Sequence, residues 1–127
     1  MRVEELRIDN WVEDIVSYRF VKIDGIESNH DVIWVNYKNG SAQYDLNLLN
    51  LQPIPLTEEV LLKCGFEQKD HLFRLHLVNS IYIEFNSECN LWYFDIYMNT
   101  SRIELQYLHE LQNIYSSITF KELEINL

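Results

Sequence analysis

Between Phe73 and Met98 the chain alternates apolar and polar residues in three successive runs, joined by links short enough for hairpins. Phe73, Leu75 and Leu77 alternate with Arg74 and His76, then Ile81, Ile83 and Phe85 with Tyr82 and Glu84, then Trp92, Phe94, Ile96 and Met98 with Tyr93, Asp95 and Tyr97. A period of two sends each set to opposite faces of a strand. The links at 78–79 and 86–90 have hairpin length, so a three-stranded antiparallel meander is the economical topology, with a brief fourth strand at 103–105. The apolar face needs a cover. Leu108, Leu111, Tyr115 and Ile118 recur at helical spacing, widened by Ile114, and predict an amphipathic helix over 106–117 packed on that face.

Gln52-Pro53-Ile54-Pro55-Leu56 separates this half from what precedes it, because two prolines in three residues hold the chain extended and exclude a helix or a central strand. Before the prolines, runs rich in β-branched and aromatic residues at 11–16, 19–23, 31–37 and 42–46 read as the strands of a small SH3-like barrel. Asn39-Gly40 carries the signal of a type I′ hairpin turn, and Asp24-Gly25 that of a second turn or a bulge. After the prolines, Thr57 caps a helix over 58–64 whose first turn holds Glu58 and Glu59. Leu56 and Leu61 form a hydrophobic staple, and Gly65 followed by Phe66 gives a Schellman stop. Leu123, Ile125 and Leu127 alternate with Glu122, Glu124 and Asn126, which predicts a terminal strand; the alternative is a last helical turn capped by Thr119 with Glu122.

The expected fold is therefore α+β: an SH3-like β unit at 1–52, then a helix, β-meander and helix unit at 53–127. Each half alone is near the size at which a core barely offsets conformational entropy, so the two are expected to fold as one cooperative globule.

Twenty Asp and Glu against ten Lys and Arg give a net charge of −10, and the basic residues are dispersed from Arg2 to Lys121. Attraction to phosphate backbones or anionic lipid is unfavourable, which argues against direct nucleic-acid binding and against a membrane partner. No apolar run approaches membrane-spanning length, and Met1-Arg2-Val3-Glu4-Glu5 lacks the apolar stretch of a signal peptide, so the expected location is cytoplasmic. In that compartment Cys64 and Cys89 are reduced and inert, and the Asn-x-Ser triplets at Asn39 and Asn99 carry no glycan.

Chemistry-bearing motifs are missing. No glycine pattern for phosphates and no Gly-x-Ser-x-Gly element occurs, and the four histidines lack metal-ligand spacing: His71 and His76 fall on opposite faces of one strand. His109, beside Glu110, is expected on the polar side of its helix. No partner for acid–base work is nominated beside it. Glu84 and Asp95 sit on the polar faces of adjacent strands, where a close approach would raise the pKa of one of them, as in paired carboxylates. The reading is no enzyme, no cofactor and no metal. What stands out is aromatic content on the polar face: Tyr82, Tyr93 and Tyr97 with Glu84 and Asp95 compose a candidate partner-binding face, the alternative being that they pack against the front β unit.

Three segments taken together resemble a known family. They are Glu5-Leu6-Arg7-Ile8-Asp9-Asn10-Trp11-Val12, the run from Pro53 through Thr57-Glu58-Glu59-Val60-Leu61-Leu62-Lys63-Cys64-Gly65-Phe66, and Leu108-His109-Glu110-Leu111-Gln112-Asn113-Ile114-Tyr115. The pattern is similar to that of an uncharacterised family of small bacterial proteins, frequent near phage and mobile-element genes, and runs nearly end to end. The chain departs from it at Asp9, where the family has glycine, at Val60, Cys64 and Glu110, and at Phe120, where glycine is common. The resemblance implies an association with mobile elements and carries no activity, substrate or catalytic residue. The functional expectation is a non-catalytic protein-binding or adaptor module, with an acidic, nucleic-acid-mimicking inhibitor of a host DNA-binding protein as the alternative.

Overall fold

The computed structural model describes residues 5–27, 32–37, 43–47, 50–96 and 99–127, and for 27, 32–37, 43–47 and 96 it describes the backbone. The chain divides into two compact units, one of Met1–Pro55 with Tyr107–Asn113, the other of Leu56–Gln106 with Ile114–Leu127.

The first unit is built on a five-stranded antiparallel sheet of β1 (Trp11–Asp14), β2 (Arg19–Glu27), β3 (Val32–Tyr37), β4 (Gln43–Asn47) and β5 (Leu51–Gln52), in the order β4-β3-β2-β1-β5. Val12, Val21 and Ile23 point inward and form its core with Leu6 and Leu51, and Ile26 packs against them. Asp24-Gly25 is the bulge of the two options, since the β2–β3 register shifts between Ile23 and Gly25. Asn39-Gly40 lies outside the described residues, but the strands on either side of it are paired from Val32↔Asn47 to Asn36↔Gln43. Among the described residues no ladder joins β4 to β5, so the closed barrel expected from the sequence is not seen; β5 contributes only the pairs Glu13↔Gln52 and Asp14↔Leu51.

The second unit carries the meander, β6 (Glu67–Lys69), β7 (Leu72–Val78), β8 (Ile81–Asn86), β9 (Leu91–Ile96) and β10 (Asn99–Ile103), each strand antiparallel to the next. Phe73, Leu75, Leu77, Ile83, Phe85 and Trp92 are buried on one face, as the alternation requires. Rings meet there: Phe85 lies 4.8 Å from Trp92 between centroids, and Phe66 meets Trp92 edge-on at 6.0 Å. Two strands differ from expectation. β6 was not anticipated, and the fourth meander strand is Asn99–Ile103 rather than 103–105; both edge strands expose nearly every side chain, so neither bears an apolar pattern.

Helix α1 (Glu58–Lys63) is specified locally. The Thr57 hydroxyl accepts from the Val60 N–H, Gly65 takes φ 89°, and the Phe66 and Gly65 N–H groups donate to the Leu61 and Leu62 carbonyls, the two bonds of a Schellman stop. Helix α2 (Leu108–Thr119) opens with the Glu110 carboxylate accepting from the Tyr107 N–H at 2.9 Å. It was expected on the meander as part of the rear unit, yet its first half, with Tyr107, groups with the first unit. It ends at Phe120, whose φ of 59° is one that glycine adopts freely. The terminal strand is corrected too: residues 121–127 form no ladder. Leu123 and Leu127 are buried while Glu122, Glu124 and Asn126 are exposed, so the alternation survives, but the segment's backbone is anchored by the Asn126 N–H on the Lys63 carbonyl at 3.0 Å. No helix among the described residues is long and apolar enough to cross a membrane.

Candidate functional site

The polar face of the second sheet brings together four of the five residues nominated from the sequence. Register places Glu84 opposite both Arg74 and Tyr93, and Tyr82 opposite both His76 and Asp95. Tyr97 lies outside the described residues. β10 extends the two rows with Arg102 beside Tyr93 and Thr100 beside Asp95. Tyr82, Glu84, Tyr93 and Asp95 are half-buried, with exposed Arg74, His76, Thr100 and Arg102 around them.

Arg74 organises one end of this face. Its Nε and Nη2 donate to the same Glu84 oxygen at 3.1 and 2.8 Å, and its guanidinium carbon stands 5.2 Å from the centre of the Tyr82 ring. The hydrogen bond to Glu84 raises the Arg74 pKa, so the guanidinium stays charged throughout the accessible range. His76 contacts the same tyrosine with ring centres 5.1 Å apart, and its Nε2 makes a close hydrogen bond with the Asn79 carbonyl. Tyr82 is thus held between a cation and an imidazole. Arg74 was placed on this polar face from its alternation, but its pairing with Glu84 depends on the register across the Asn79-Ser80 turn, where Asn79 takes φ 53°. The same register sets Glu84 and Asp95 diagonally rather than opposite, and Glu84 is engaged by Arg74. The arrangement supplies ring faces, an ion pair and phenol groups.

The resemblance segments meet elsewhere, in the first unit, although about a hundred positions separate them. Asn10, fully buried, accepts from the Arg7 N–H at 2.7 Å and donates to the Asn113 side-chain oxygen at 2.9 Å, which also accepts from Arg7 Nε at 3.1 Å. Gln112, 1% exposed, accepts from the Trp11 N–H at 2.8 Å and donates to the Asp9 carbonyl at 3.0 Å. Asn113 donates back to the Glu5 carbonyl at 3.2 Å. The Ile54 carbonyl accepts from the Leu108 N–H at 2.8 Å, and Pro55 bridges Tyr107. These polar letters hold backbone to helix; they form a joint.

His109 belongs to this joint, which corrects its expected polar placement. It is 2% exposed, stacked on Tyr107 at 5.9 Å with rings 7° from parallel, and its Nδ1 has no hydrogen-bond partner among the described residues. Burial lowers its pKa and keeps it neutral, against an opposing pull from Glu110 and Glu5. An open groove of about 920 Å³ in the second unit is lined in part by Leu62, Lys63, Cys64, Tyr115 and Leu123. Burial pushes the Cys64 thiol up to about 12, so it is no nucleophile at neutral pH, and Lys63 is paired with Glu59 at 3.3 Å. Among the described residues no three of His, Cys, Asp and Glu gather to hold a metal ion.

The chain matches no family model, no curated protein and no solved structure.

Proposed function

We propose that this chain is a non-catalytic protein-binding module acting in the cytoplasm, with the polar face of the second sheet as its contact surface. The observation that carries the reading is the pre-arranged state of that face. Tyr82 is held by Arg74 and His76 while staying partly open to solvent, so a partner meets rings whose ordering entropy is already lost. Aromatic area fringed by charges of both signs is the composition of protein interfaces. Mimicry of nucleic acid asks for carboxylates in a row, whereas here Glu84 shares its row with Arg74, Tyr93 and Arg102, and Asp95 stands in the next row between Tyr82 and Thr100.

The first unit is best read as SH3-like, supported by the strand order β4-β3-β2-β1-β5 and by the bulge in the nine-residue β2, a device that curls sheets toward closure. The mobile-element association rests on the three resemblance segments. It gains support from backbone geometry: Asp9 and Phe120, which stand where the family has glycine, take φ of 77° and 59°.

The test is partner capture by the full chain and by Tyr82→Ala and Tyr93→Ala variants with unchanged circular dichroism. Capture that survives 0.5 M salt and weakens at least tenfold in both variants is expected. A partner released by moderate salt and indifferent to both tyrosines, itself a DNA-binding protein, would mean mimicry instead.

A further inference from the structure

The segment after α2 has the pattern of a strand and no ladder. Leu123 and Leu127 are buried, Ile125 is half-buried, and Glu122, Glu124 and Asn126 are exposed. Among the described residues a single backbone–backbone bond holds it to the rest of the second unit, from the Asn126 N–H to the Lys63 carbonyl at 3.0 Å. In an extended chain the amides of alternate residues point to the same side, so the backbone groups of Glu124 also face α1. No backbone bond crosses to α1 at that position. What lies there is the open groove of about 920 Å³, lined on one side by residues 121–126 and on the other by α1. Buried Cys64 and Leu75 line it together with half-buried Tyr115 and with Leu62, a large apolar side chain left 49% exposed.

We infer that this groove takes an extended segment of another protein, which adds to residues 122–125 as a strand and alternates apolar side chains with Lys or Arg. An unpaired strand edge is a template for one more strand, and alternate side chains of the incoming segment supply the apolar cover that Leu62 lacks. The groove volume falls within the ~300–1,000 Å³ of sites that enclose ligands. Local charge selects the occupant. Glu59, Glu122 and Glu124 line the groove against Lys63 and Lys121, of which Lys63 is paired with Glu59 and Lys121 stands at the end next to α2, so a cation opposite Glu124 is the complementary choice. A second copy is a poor occupant. Pairing two such tails sets Glu124 opposite Glu124 or Glu122, because the Asn126 N–H is already given to Lys63, and like charges directly opposite destabilise a ladder. The site uses none of the sheet-face residues and stands independently of that reading.

The experiment pans the full chain against a displayed library of random ten-residue peptides and synthesises the enriched sequences. Peptides that alternate apolar residues with Lys or Arg are expected. At saturation they should slow hydrogen exchange of the Glu124 amide at least tenfold, and methylating every second backbone nitrogen of the peptide should abolish binding in one of the two frames, since a strand pairs through one edge. Leu62→Gln and Glu124→Lys should each weaken binding at least tenfold. Both replace exposed side chains, so their melting temperatures should match the wild type, which separates lost binding from lost folding. The inference is overturned if no peptide is enriched, if the enriched peptides are acidic or lack alternation, if Glu124 exchange is unchanged, if neither methylation frame matters, if both variants bind like wild type, or if the free chain is a dimer with its Glu124 amide already protected. Peptides that bind Leu62→Gln normally and fail on Tyr93→Ala overturn the groove and leave the sheet-face proposal standing.

Discussion

Gln112→Ala should be among the most destabilising single changes in the first unit. The side chain is 1% exposed and satisfies two backbone groups of the 5–11 segment, the Trp11 N–H at 2.8 Å and the Asp9 carbonyl at 3.0 Å. Truncation leaves both without that partner in a partly buried setting, at about 1–1.5 kcal/mol each. Lost contacts of the removed methylene and amide add about 1 kcal/mol, for a total of about 3–4 kcal/mol. Gln112→Met separates the parts, because it keeps the volume and removes only the hydrogen bonds, with an expected loss of about 2–3 kcal/mol. Urea unfolding followed by tryptophan fluorescence and circular dichroism reads both, and a lower midpoint at constant slope is the expected form. If Gln112→Met unfolds at the wild-type midpoint, the polar joint contributes no net stability and the reasoning fails.

Phe120→Gly should stabilise by about 0.5–1 kcal/mol: relief of a left-handed backbone gains about 1–2 kcal/mol, the freer unfolded chain returns about 0.4–1, and the ring, 90% exposed, loses little packing. A melting temperature raised by about 2–4 °C would bear this out, and a lowered one would refute it. Gly65→Val acts in the opposite sense. With φ at 89° and nothing within 4 Å of an added Cβ, its cost of about 2 kcal/mol is backbone conformation alone, so Gly65→Asn should cost visibly less by thermal melt. His109 sets an acid limit. Its folded pKa lies below the unfolded value near 6.5, so the stability it permits is present above that pH and is lost as pH falls toward the folded pKa, where the unfolded chain takes up the proton first. His109→Phe keeps a ring beside Tyr107 and cannot titrate, so the wild type should weaken relative to it between pH 7.5 and 5.5; parallel pH profiles would refute this.

What was legible in the sequence was whatever is decided within a few residues. Thr57, Gly65 and Phe66 bound α1 through bonds spanning three to five positions, and the alternation from Phe73 to Ile96 names both faces of the meander, because the pleat has a period of two wherever the strand is placed. Phe120, which stands where the resembled pattern has glycine, is local in the same way: it takes a left-handed conformation that glycine adopts freely. Edge strands β6 and β10 were illegible for the converse reason: their partners make them strands and their own side chains stay in water. Leu123, Ile125 and Leu127 had the period of a strand and became an unpaired tail, because alternation specifies which side is buried but not whether a ladder partner is there.

Tertiary structure alone decided the joint. Asn10, His109, Gln112 and Asn113 are of types that are seldom fully buried, and here they are buried or half-buried because the 7–10 turn, tied to β2 by the Asp9 N–H to Ile23 carbonyl bond at 2.8 Å, lies against the first turns of α2. Likewise, only strand register could give Arg74 to Glu84 and Tyr82 to His76, turning a list of polar residues into a surface. Local geometry depends on neighbours in sequence and is written there, whereas the satisfaction of a buried amide depends on a group about a hundred residues away, which no short window contains.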